Sequence, residues 1–146
     1  MTVSLIIKQA EATDKTYIFN LYCDAMKQHI ENIWGWNQSW QENNFELSWK
    51  TCFNYMLIYK GEKIGYIQTI EREIDIYIEM LILESNHRSI GLGQEVIFKL
   101  VQLYLNKPFS LRVFKTNHRA LSFYTKNGFQ VTGKEESFYV LHRNSI

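Results

Sequence analysis

The sequence predicts an α/β architecture, one mixed sheet with helices on both faces, and three observations carry that expectation. A long amphipathic stretch with helical spacing opens the chain. Three strand-like runs follow in its middle, two of them joined by a tight-turn signal. Two further helical stretches then alternate with single strands, giving the order βαα-βββ-α-β-α-ββ.

Each element has its own local warrant. Residues 3–8 read as a strand, and Thr13 or Asp14 supplies an N-cap for a long helix. Ile18, Leu21, Tyr22, Ala25, Met26, His29, Ile30 and Ile33 form that helix's apolar face. Trp34-Gly35-Trp36-Asn37 breaks it, and residues 39–50 form a shorter helix. Residues 53–59 and 64–70 flank Lys60-Gly61-Glu62-Lys63 as a hairpin. Residues 74–83 make a third run, in which Ile74, Ile76, Ile78, Met80 and Ile82 are expected on one face and Asp75, Tyr77 and Glu79 on the other. A helix runs from Gly91 to about residue 106, ended by Pro108. Residues 109–114 form a strand and residues 117–126 a helix with Asn127-Gly128 as its C-cap. Residues 129–132 and 138–142 close the sheet.

Composition bounds the function. At 146 residues the chain suits a single domain, spanning 1–146. With 16 Lys+Arg against 15 Asp+Glu, the balance argues against a non-specific nucleic-acid binder. No apolar run approaches the length of a membrane span, and no signal-like segment opens the chain, so a cytoplasmic protein is expected. Cys23 and Cys52 are read as reduced thiols rather than a disulfide, and the four His form no metal spacing. Charge is uneven: five basic residues (Lys107, Arg112, Lys115, Arg119, Lys126) and no acidic one fall between positions 107 and 126. They are either a solvated face or a modest positive field for an anionic ligand.

The stretch from Ile82 to Gln94 carries the chemistry. A strand and a short loop lead into a helix whose first turn holds Gly91 and Gly93. Helix N-termini present unpaired N–H groups, glycine lets an anion reach the backbone, and Arg88 adds a permanent cation. Together they form an anion cradle suited to a pyrophosphate. The spacing is neither a dinucleotide-binding fingerprint nor a P-loop.

Arg88-Ser89-Ile90-Gly91-Leu92-Gly93 resembles the Arg/Gln-x-x-Gly-x-Gly/Ala motif of the GNAT superfamily of acyl-CoA-dependent N-acyltransferases. The segment Leu111 to Phe129, with Asn117, Ala120, Tyr124 and Gly128-Phe129, is similar to that family's second block. The resemblance covers nearly the whole chain. It implies a GNAT-like sheet of six to seven strands with about four helices. It also implies acetyl-CoA as cosubstrate and transfer of its acetyl group to a primary amine by direct attack in a ternary complex. Leu81, Ile82 and Leu83 would pair with the pantetheine arm beside a strand bulge. The N–H groups of Arg88, Ser89, Ile90, Gly91, Leu92, Gly93 and Gln94 would hold the pyrophosphate. Asn117 would touch the pantetheine or orient the nearby loop, and Tyr124 would protonate the departing thiolate.

Glu79, on the polar face of its strand, is the candidate general base; the bland alternative is a surface carboxylate paired with Lys or Arg. Arg112 stands where relatives often carry an acid, and a guanidinium cannot accept a proton. Glu31, Trp34 and Trp36 are candidates for the acceptor pocket, an aromatic wall with a counter-charge for a cationic amine. The alternative is that the Trp side chains cap the core or form a homodimer contact. A non-catalytic acyl-CoA-binding sensor or interaction module is the competing function. No metal is expected.

Overall fold

The computed structural model describes residues 5–87, 91–105 and 107–145. Among the described residues seven strands and four α-helices follow in the predicted order: β1 (Leu5–Gln9), α1 (Lys15–Trp34), α2 (Gln38–Thr51), β2 (Phe53–Tyr59), β3 (Glu62–Glu71), β4 (Ile76–Leu83), α3 (Leu92–Leu103), β5 (Phe109–Phe114), α4 (His118–Lys126), β6 (Gln130–Lys134) and β7 (Phe138–Arg143). The strands form one sheet in the order β1-β2-β3-β4-β5-β7-β6. Every pairing is antiparallel except β4 with β5.

Local chemistry sets the boundaries. The expected side-chain cap of α1 is absent: Asp14 stands at its N-cap, but its carboxylate turns back to accept the Glu11 N–H at 2.8 Å and closes the single turn ahead of the helix, while Gly35 ends the helix at φ +79°. The Asn37 side chain accepts the Trp40 N–H at 2.9 Å and starts α2. Lys60 and Gly61 both take positive φ, 51° and 81°, the two-residue turn that matches strand twist. Both cysteines are free thiols, as expected. No described helix is long and apolar enough to cross a membrane.

Two apolar clusters cover the two faces of the sheet. Beneath α3 and α4 lie Leu57, Ile67, Ile76, Ile78, Val96, Leu100, Leu111 and Leu141. Beneath α1 and α2 lie Ile18, Leu21, Met56, Tyr66 and Ile82, with Phe45 and Trp49 packed on them.

The expected faces of residues 74–83 are corrected here. Thr69 pairs with Ile78 and Gln68 with Met80, so Glu79 is an extra residue, a β-bulge opposite the Gln68/Thr69 step. A single extra residue reverses which side chains point which way. Ile76 and Ile78 face α3 and α4, whereas Met80 and Ile82 face α1 and α2. Ile74 does not belong to the strand and is 79% exposed. Asp75 does not share a polar face with Tyr77 and Glu79; it is buried ahead of β4, where Arg72 donates to it at 2.6 and 2.7 Å and Ser110 at 2.6 Å.

Gly65 of β3 is buried opposite Leu83. A Cβ there would collide with the main-chain carbonyl of Ile82, which cannot swing away as a side chain would. Gly65→Ala is therefore expected to destabilise the fold by about 2 kcal/mol, the usual scale of an overpacked core. Urea denaturation measures it, and an unchanged midpoint would contradict the tight β3–β4 contact.

Candidate active site

β4 and β5 pair only over Ile76–Phe109, Tyr77–Ser110 and Ile78–Leu111. Beyond that point β4 stays with β3 and β5 with β7, and the two parallel strands part. A cavity of about 1060 Å³ opens there, bounded by α1, the end of β4, the start of α3, and α4.

The N-terminus of α3 forms one end. Its first main-chain bond runs from the Glu95 N–H to the Gly91 carbonyl at 3.2 Å. The N–H groups of Leu92, Gly93 and Gln94 thus have no intrahelical acceptor. The two glycines serve different ends. Gly91 adopts φ +85° with open space around the position of a Cβ, so its backbone requires glycine. At Gly93 a Cβ would come within 2.6 Å of the Phe123 ring, so its absence lets α3 meet α4. Gly91, Gly93 and Gln94 line the cavity, while the Leu92 side chain is buried in the core. Arg88, Ser89 and Ile90 lie outside the described residues.

Leu81, Ile82 and Leu83 line the cavity along β4. Ile82 belongs to the core beneath α1 and α2, and its two neighbours pack on the opposite core. Asn117 is both a cavity residue and a cap: its Oδ1 accepts the Ala120 N–H at 3.1 Å and starts α4. Tyr124 also lines the cavity, its ring set edge-on between Phe123 and Phe129 at 5.1 and 5.3 Å. Among the described residues its hydroxyl has no hydrogen-bond partner. Burial pushes its phenol far above the usual range, so it carries its proton at neutral pH.

Glu79 is not among the residues lining this cavity. It occupies the bulge at the fork of β4 and β5, exposed yet crowded by protein. That crowding raises its carboxyl above the ordinary Glu value, with Arg112 pulling in the opposite direction. Arg112, just beyond the last β4–β5 pair, donates through Nε and Nη2 to the two Glu135 oxygens at 2.9 and 3.1 Å. Its Nη1 donates to the Tyr77 hydroxyl at 3.1 Å.

The three acceptor candidates are not brought together. Trp34 is 60% exposed and leans on Phe114 and Phe138, with ring centroids 6.1 and 6.0 Å away. Trp36 turns back to Tyr22 at 6.2 Å, with the Lys27 ammonium over its ring. Glu31 is exposed near the end of α1, and none of the three lines the cavity.

Of the five basic residues between 107 and 126, Arg119 and Lys126 line the cavity, Arg112 is tied to Glu135, and Lys115 sits over the Tyr139 ring. The α1 wall was missed in the sequence. Tyr17, Asp24 and His29 line the cavity; Tyr17 donates to Glu84 at 2.5 Å, and His29 Nδ1 lies 2.9 Å from the Thr116 hydroxyl. The available signal was polar residues interrupting an otherwise apolar helical stripe. Among the described residues no group of three His, Cys, Asp or Glu is placed to hold a metal.

A forked parallel pair, a helix N-terminus and a buried phenol thus border one cavity. The acetyltransferase (GNAT) family model matches residues 15–129, and the chain belongs to that family of acyltransferases. Its fold resembles PaiA N-acetyltransferase from Thermoplasma acidophilum, solved in complex with coenzyme A: TM-score 0.74, 17% identity, 97% of this chain and 99% of that one. It also resembles spermidine N-acetyltransferase from Vibrio cholerae, solved with CoA and spermine: TM-score 0.71, 17% identity, 97% and 95% coverage. A third is N-acetyltransferase PseH from Campylobacter jejuni, at TM-score 0.66, 18% identity, 97% and 99% coverage. No curated protein sequence matches the chain.

Asn117→Ala removes the cap of α4, the helix that carries Tyr124. The expected loss is about 1 kcal/mol, with Asn117→Ser largely restoring it. Thermal denaturation of the pair checks this, and equal stability of the two variants would remove the cap from the account.

Proposed function

We propose that residues 1–146 form one N-acetyltransferase domain of the cytoplasm that moves the acetyl group of acetyl-CoA directly to a primary amine. The observation that carries this reading is the parting of β4 and β5 beside the unpaired N–H groups of α3. A strand edge and a helix N-terminus open into one cavity, as an extended thioester ending in a pyrophosphate requires. The open space at Gly91 and the cationic Arg119 and Lys126 at the cavity suit the phosphates.

In this reading Leu81, Ile82 and Leu83 align the pantetheine. The main chain of residues 88–94 holds the pyrophosphate, and Asn117 fixes the turn between them. The thioester is already activated, so alignment with the amine supplies much of the rate. Glu79 takes the proton that the ammonium must lose before attack, directly or through water, and its raised carboxyl makes it a better base than a free Glu. The amine nitrogen bonds to the carbonyl carbon, the C–S bond breaks, and Tyr124 gives its proton to the leaving thiolate. Neither cysteine lines the cavity, which favours direct transfer over an acyl-enzyme. Glu31, Trp34 and Trp36 are retained as candidates for the acceptor's approach, each acting from its own surface near the end of α1 rather than as one aromatic wall.

Calorimetric titration with acetyl-CoA is the first test, followed by thiol release with amines. Tyr124→Phe keeps the ring packing and should leave acetyl-CoA affinity and stability unchanged, while kcat falls about 100-fold. Glu79→Gln should lower kcat on the same scale. It should also remove a limb of the pH profile that rises above the ordinary Glu range, because the base acts only when ionised. Tight acetyl-CoA binding with no turnover of any amine would favour the binding-module reading; no binding would end both.

A further inference from the structure

The fork of the sheet carries opposite charges on its two arms. The last β4–β5 pair is Ile78 with Leu111, and the next residue on one arm is Glu79, on the other Arg112. Arg112 is held rather than loose. Two of its nitrogens grip Glu135 and a third donates to the Tyr77 hydroxyl, whose ring also lies 4.8 Å from the Arg72 guanidinium.

A guanidinium has five N–H donors in a rigid fork. Three are used, so Nη1 and Nη2 each keep one uncommitted N–H among the described residues. Arg112 and Glu135 are about equally exposed, 44% and 43%, so those donors are within reach of solvent and of a ligand. Arg72 is committed elsewhere: its Nε and Nη2 hold the buried Asp75 ahead of β4, not at the fork.

We infer that Arg112 reads an anionic group on the acceptor, and that the acceptor is a zwitterion, an amino acid or close analogue with its amine and carboxylate a few bonds apart. The inference rests on the acetyltransferase reading and names its substrate class. The ammonium lies toward Glu79 on one arm, and the carboxylate bridges the two remaining Arg112 donors on the other. Glu135 and Tyr77 preorganise the guanidinium, so little ordering is required on binding. A polyamine would bring a second cation against Arg112 and is disfavoured.

The test compares matched acceptors under saturating acetyl-CoA: L-phenylalanine, L-phenylalaninamide and phenethylamine; glycine and ethylamine; and spermine. Carboxylated members are expected to exceed their uncharged counterparts and spermine by about 10- to 100-fold in kcat/KM, the worth of a charged hydrogen bond. Arg112→Gln should erase that ratio through the KM of the carboxylated acceptors; the ratio is read on the high-pH plateau of each enzyme, because loss of Arg112 also lets the Glu79 carboxyl rise for every acceptor. Equal or better use of the amines or spermine, an unchanged ratio in Arg112→Gln, or turnover of none of these acceptors would overturn the inference. Calorimetry separates the two failures. If the wild type binds acetyl-CoA but ignores carboxylated amines, only this inference falls; if it binds no acetyl-CoA, the acetyltransferase reading falls with it.

Discussion

The short parallel contact between β4 and β5 governs everything built around it. Three residue pairs join the two strands, against seven between β3 and β4 and six between β5 and β7. The sheet is therefore two well-paired halves meeting at a narrow seam. At the base of that seam the Ile76 N–H donates to the Pro108 carbonyl at 2.9 Å, and Ser110 donates across it to Asp75, which Arg72 holds from its own side. Those bonds keep the base closed while the far end stays open. The main-chain groups at the open end of the seam face a roomy polar-lined cavity, where water or a ligand can satisfy them. A cavity bordered by helix and strand main chain is the arrangement in which a ligand satisfies them.

The bulge at Glu79 follows from the same constraint. A regular β4 would send Glu79 to the face opposite Ile78 and keep Ile82 with Ile76 beneath α3. The extra residue instead lets one strand serve both cores. Its first half packs beneath α3 and α4, and its second half splits between the two faces, with Ile82 beneath α1. It also sets a carboxylate at the fork, where packing rather than a partner controls its proton. Burial raises the affinity for a proton at both Glu79 and Tyr124, with opposite chemical consequences. The carboxylate becomes a stronger base, and the phenol stays a donor.

The element order, the hairpin turn and the glycine-marked start of α3 were legible because each depends on local geometry: a positive φ, a cap or a period. The bulge was not. β4 is apolar at both parities, with Ile76, Ile78, Met80, Leu81, Ile82 and Leu83, so its pattern does not change when a residue is inserted. Trp34 and Trp36 looked like one cluster, but Gly35 at φ +79° separates them, sending one to Phe114 and the other to Tyr22. His29 fitted the apolar stripe of α1 and was read as part of it. Thr116, approaching from the β5–α4 connection, gives its ring a hydrogen-bonding neighbour at the cavity wall.

The two sides of the fork use different parts of the chain. Around the cavity the polar groups are largely main chain, the first N–H groups of α3 and the edge of β4, and these persist under almost any side-chain change that keeps the fold. On the other side the groups are side chains: Glu79, Tyr77, Arg112 and Glu135, two of them joined by an exposed ion pair. An exposed pair contributes little to stability, so its identity is not fixed by folding. The fold is shared with structures only 17% identical to it, as expected where main-chain geometry tolerates wide side-chain change. Under the inference drawn above, discrimination among acceptors falls to positions such as 112, where a side chain can change the charge met by the incoming molecule without disturbing the strand beneath it.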